Sequence, residues 1–179
     1  QFRLLQNFLF KSNILAKTQI AERGMIITAF DVLKKRLKNK PLYYSASSFD
    51  IVSEGQLNPP ISLNSKYNKA RKKLIELNLE TNGEDLLKVI HFLTESESEA
   101  DANIDNISRC YLENLNDDIY KIKAAVEKAV TALVEVDILI ETNGIYKIAS
   151  DQEQKLKSEM NDIQVETYIK KRRLIEHLK

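Results

Sequence analysis

The strongest constraint on this chain is a change of period near residue 137. Ile119, Ile122, Val126, Ala129, Leu133 and Val136 recur at alternating steps of three and four, which lines one face of a long helix. From Ile138 that spacing stops. Ile138-Leu139-Ile140-Glu141-Thr142 and Ile145-Tyr146-Lys147-Ile148-Ala149 are β-rich runs joined by Asn143-Gly144. Asn-Gly readily takes the positive φ angles of a tight primed turn, so the pair predicts a two-stranded hairpin directly after the long helix.

Upstream, Asp85–Glu95 reads as a helix burying Leu86, Leu87, Ile90 and Leu93. A polar connection over 96–102 leads to a short helix, Asn103–Leu112, through Ile104, Ile107 and Tyr111. Asn114-Leu115-Asn116 then precedes the long helix. Helix, helix, long helix and hairpin is the element order of a winged-helix domain, assigned to residues 83–150. Ser150-Asp151-Gln152-Glu153 fits a capping box, opening a C-terminal helix over 151–179. Its stripe of Leu156, Met160 and Ile163 shifts to Val165, Tyr168 and Ile169, which predicts a kink or a change of packing partner.

Residues 1–82 are expected to form a lid-like helical subdomain, with a soft boundary near Asn82-Gly83. Phe2, Leu5, Phe8, Leu9 and Leu15 have helical spacing, and Ile26, Phe30, Leu33 and Leu37 mark an inward stripe on a helix over about 20–38. Ser47-Ser48-Phe49-Asp50 opens a short helix, and Gly55 through Pro59-Pro60 is a loop. Ser65 caps a helix to about Leu77, with Tyr67, Ala70, Leu74 and Leu77 inward. Four Gly and three Pro in 179 residues supply few turns, so the whole is expected to be mainly α.

The chemistry is mostly exclusion. One cysteine, Cys110, allows no internal disulfide framework and suits a reducing, cytoplasmic compartment. Cys110 and His91 as nucleophile and base are outweighed by Cys110 as a small buried hydrophobe. His91 is expected on a helix surface and His177 at a helix end. Two His and one Cys cannot close a four-ligand zinc site. Asp101-x-Asn103-x-Asp105 imitates a calcium loop but lacks the Gly at position six and the Glu at position twelve, so helix capping explains it better. No G-x-x-x-x-G-K-[S/T] or G-x-G-x-x-G occurs, so the chain is expected to be non-catalytic, with no cofactor of its own. No apolar run approaches the ~20 residues of a membrane span, so no membrane partner is expected. The start at Gln1, with no charged-then-apolar leader, suggests a segment of a longer protein.

A net charge of +1 conceals an asymmetry. Residues 1–40 carry nine basic against two acidic side chains, and residues 84–150 carry fourteen acidic against six basic. The long helix of the winged-helix region opens Asn116-Asp117-Asp118 and offers only Lys121, Lys123 and Lys128. Phosphate would be repelled there, so a protein contact is favoured over base reading. Non-specific nucleic-acid contact is better placed at Lys34, Lys35, Arg36 and Lys38, at Arg71, Lys72 and Lys73, or at Lys170, Lys171, Arg172 and Arg173. Each cluster is equally an ordinary solvated helix face.

Ala21-Glu22-Arg23-Gly24-Met25-Ile26-Ile27, Lys40-Pro41-Leu42-Tyr43, Leu86-Leu87-Lys88-Val89-Ile90 and Tyr146-Lys147-Ile148 together resemble the large P-loop ATPases of bacteriophage-exclusion (BREX) systems, over roughly residues 17–160. The resemblance implies a helical and winged-helix region following the ATPase core, coupling nucleotide state to assembly or DNA engagement in phage defence. ATP and Mg²⁺ would then be held by a core outside this segment, and other defence-system proteins would be partners. The family's Walker motifs have no counterpart here, so no catalytic residue carries over. Arg23 resembles an arginine that senses nucleotide from a neighbouring domain. The competing class is a winged-helix transcriptional regulator that binds operator DNA directly.

Overall fold

The computed structural model describes residues 21–55, 59–96 and 100–162. The expected helix over 2–16, the loop residues 56–58, and the C-terminal stripe beyond 162 lie outside them. The described chain is mainly helical with one small antiparallel sheet: α1 Ala21–Val32, a π-helical turn Leu33–Leu37, α2 Ser48–Gly55, α3 Ile61–Glu76, α4 Gly83–Glu95, α5 Ile104–Tyr111, α6 Ile119–Glu135, β1 Leu139–Thr142, β2 Ile145–Ile148 and α7 Asp151–Asp162. No helix among the described residues is long and apolar enough to cross a membrane.

Local chemistry sets the helix starts. Ser47 precedes α2 and exchanges bonds with Asp50: its N–H and hydroxyl donate to Asp50 Oδ2 at 3.2 and 3.0 Å. Asn82 Oδ1 accepts from the Glu84 N–H at the head of α4, and Asn103 Oδ1 accepts from the Asn106 N–H at the head of α5. Asp118 Oδ1 accepts from the Tyr120 N–H to start α6. Asn103 thus caps a helix, the role favoured for the Asp101–Asp105 run.

One core joins α2 through β1. Phe49, Val52, Tyr67, Ala70 and Leu74 pack with Leu86, Leu87, Ile90, Leu93, Ile107, Val126, Ala129 and Leu133. The core therefore runs unbroken across residue 82, and the described residues up to Ile148 belong to one compact unit. Gly83 explains the continuity. A Cβ there would overlap the Ala70 carbonyl, so glycine is what lets α3 and α4 meet. The Asn82-Gly83 pair is a helix cap and a packing contact.

The hairpin follows the sequence expectation. Leu139 pairs with Ile148 and Thr142 with Ile145, around Asn143 and Gly144 at φ 53° and 77°. The Tyr146 N–H also donates to the Ala102 carbonyl at 2.9 Å, which fastens β2 to the segment between α4 and α5. In the second unit, from Ala149, the Ser150 N–H donates to Glu153 Oε2 and the Glu153 N–H to Ser150 Oγ, completing the capping box of α7. Leu156 and Met160 on α7 are exposed.

Three expectations are corrected. Helix α1 and the start of the π-helical turn leave Ile26, Phe30 and Leu33 exposed and bury Thr28 and Val32, since among the described elements this segment packs on α2. Helix α3 begins four residues before Ser65, and Leu77 is exposed. Asn78, at φ 52°, ends the helix and hands the inward position to Leu79, whose N–H donates to the Leu74 carbonyl. Val136 is also exposed, since α6 stops at Glu135 and Asp137 turns left-handed at φ 58°.

Candidate protein-contact and nucleic-acid surfaces

The basic clusters come first, because charge runs in sequence say nothing of pairing. Lys35 lies 2.9 Å from Glu54 and 3.4 Å from Asp31, and Arg36 Nε lies 2.8 Å from Glu54 and 3.8 Å from Asp50. The bond to Glu54 leads in raising the Lys35 pKa. Burial works to raise Glu54, but the bonds from Lys35 and Arg36 outweigh it and hold its carboxyl below the usual range. Half of this run is thus engaged by α2. Lys34 rests over the Phe30 ring at 5.7 Å, and Lys38 is exposed.

On α3, Arg71 Nη1 lies 3.7 Å from Glu84 of α4, while Lys72 is exposed and Lys73 half-buried. These residues and the α1–π-turn cluster sit on different helices with different packing partners. Lys170, Lys171, Arg172 and Arg173 lie outside the described residues, as does the side chain of Arg23.

Cys110 and His91 are both partly buried. Ser48 Oγ donates to the Cys110 carbonyl, and burial pushes the Cys110 thiol up, away from the thiolate a nucleophile needs. His91 is not the surface residue expected. Burial lowers its pKa to about 4, so the ring is neutral at pH 7.

The start of α6 is the surface with a distinctive chemistry. Asn116, Asp117 and Asp118 are exposed, and Tyr120 is 80 % exposed beside them. The Leu115 N–H donates to the Tyr43 carbonyl, and the Ser45 N–H to the Glu113 carbonyl, so the 42–45 segment is stitched to this turn. That brings exposed Leu42 and Tyr43 alongside exposed Leu115. Of the few lysines on this helix, Lys123 is held 2.7 Å from Asp105 of α5. The sequence could not reveal this apolar platform, because its two halves lie about seventy residues apart and neither half has a period of its own.

No family model, no curated protein and no solved structure matches this chain.

Proposed function

We propose that residues 83–150 are a winged-helix module that contacts protein rather than DNA, within a non-catalytic segment of a larger P-loop ATPase. The observation that carries the protein-contact reading is the start of α6. Where a DNA reader needs cations to face phosphate, the turn leading into this helix offers exposed Asp117 and Asp118 beside Leu115 and Tyr120. The order α4, α5, α6, hairpin supports the winged-helix assignment. So does the Tyr146–Ala102 backbone bond, which fastens the hairpin to the helices as a wing.

The ATPase context rests on the BREX resemblance alone. In that reading the segment works in the cytoplasm and transmits nucleotide state to assembly in phage defence. The chain has no phosphate cradle, so no step of hydrolysis is assigned to its residues.

Fluorescence anisotropy with labelled duplexes at low and high salt tests the protein-contact reading. The expected result is no base-sequence preference, with any residual binding steeply salt-dependent and reduced more by reversing Arg71, Lys72 and Lys73 to Glu than by reversing Lys121 and Lys123. Sequence-selective binding lost on changing Lys121 or Lys123 would overturn the reading in favour of a transcriptional regulator.

A further inference from the structure

Two exposed surfaces of the unit ending at Ile148 are apolar and carry opposite charge. The first is the outer ridge of α1. Ile26, Phe30 and Leu33 stand at i, i+4 and i+7, each more than half exposed. Lys34 lies on the Phe30 ring, and Lys34 and Lys38 have no acid partner among the described residues, in contrast to Lys35 and Arg36. The second is the platform at the head of α6, where Leu42, Tyr43, Leu115 and Tyr120 are exposed. Across residues 40–45 and 113–121, Glu113, Asp117 and Asp118 stand against Lys40, held over the Tyr44 ring at 4.6 Å, and Lys121.

We propose that the partner of the platform is a second copy of this chain, whose α1 ridge seats upon it. The proposal rests on reading α6 as a protein contact. Apolar side chains exposed in clusters of this kind mark interaction surfaces, and the charges fix the pairing. A ridge set against another ridge would bring Lys34 and Lys38 together, and a platform against a platform would oppose the aspartates. Ridge on platform instead brings Lys34 towards Asp117 and the face of Tyr120, which an ammonium group also favours. Because the two surfaces differ, the contact is heterologous, so copies either close into a ring or continue as a chain.

Sedimentation velocity over a concentration series tests this with the chain as it stands. The wild type should self-associate with rising concentration, and less at high salt. Phe30→Asp and Tyr120→Asp should each give monomers. The decisive pair reverses charge on one surface at a time: Lys34→Glu with Lys38→Glu, and Asn116→Lys with Asp117→Lys, which spares the Asp118 cap. Each variant alone should be monomeric, and an equimolar mixture should regain association, since both ridge–platform contacts are complementary again. Circular dichroism checks that every variant is folded. A monomeric wild type would overturn the inference, as would a mixture that stays monomeric. Association abolished by Phe30→Asp but indifferent to the platform would overturn it as well, showing that a different surface of the second copy seats on the ridge. Anisotropy reports separately on the protein-contact reading, so a monomer that also ignores DNA sequence refutes this inference alone.

Discussion

Replacing Asp85 with Asn should stabilise the protein at neutral pH and leave it unchanged in acid. Burial on α4 pushes the Asp85 pKa from 3.8 up to about 6; Lys88 opposes the shift, while Glu84, Asp50 of α2 and Glu113 add to it. Two pKa units correspond to about 3 kcal/mol, and screening of a half-buried group reduces that to about 1–2 kcal/mol. The folded state holds this proton more tightly than the unfolded chain does. Stability is therefore full below about pH 4, falls as pH rises towards about 6, and then levels. His91, on the same helix, has the opposite slope. Its depressed pKa of about 4 keeps the folded ring neutral, so stability is full above about pH 6.5 and falls as pH drops towards about 4. The two slopes oppose each other over one window. The wild type should therefore depend less on pH there than Asp85→Asn, which exposes the rising slope of His91. Urea denaturation followed by far-UV circular dichroism, in steps from about pH 4 to about pH 7.5, measures the difference between the two proteins. It should open from near zero to about 1–2 kcal/mol across that range. A difference that stays constant with pH, or a variant less stable at neutral pH, would refute the reasoning.

Two further substitutions probe packing. Tyr67 is buried with its hydroxyl lacking a hydrogen-bond partner among the described residues, and burial raises its pKa. Tyr67→Phe should therefore be neutral or stabilising by up to about 1 kcal/mol in urea denaturation, where a polar group serving the core would cost stability. Gly83→Ala should destabilise by about 2–3 kcal/mol in the same assay, since its Cβ meets the α3 backbone rather than a side chain able to move.

The sequence was most legible where a local rule and the core agreed. The α4 stripe of Leu86, Leu87, Ile90 and Leu93 is buried as spaced, and so are Val126, Ala129 and Leu133 of α6. The Asn143-Gly144 turn and the Ser150–Glu153 box needed only their own backbone. Legibility failed where a long-range contact decided the outcome. Gly83 looked like punctuation because the backbone it must approach, at Ala70, belongs to another helix. His91 looked like a surface residue because its helix face gives no hint of how many elements cover it.

The same limit governs the two surfaces proposed to pair. A helical stripe such as Ile26, Phe30 and Leu33 establishes that a face is apolar, but its period is identical whether that face meets the chain's own core or another molecule. Charge runs have the mirror-image ambiguity. Lys34, Lys35, Arg36 and Lys38 form one basic cluster in sequence, yet Glu54, eighteen and nineteen residues downstream, engages Arg36 and Lys35 and has no ion pair with Lys34 or Lys38 among the described residues. Only after that subtraction does the outer face of α1 and the π-helical turn emerge as apolar, with two lysines that have no acid partner among the described residues. Only after the 42–45 segment is stitched to residues 113–115 does the head of α6 emerge as apolar with two exposed aspartates. The proposed contact is therefore built from what tertiary pairing leaves over, and the charge-reversal mixture tests that remainder directly.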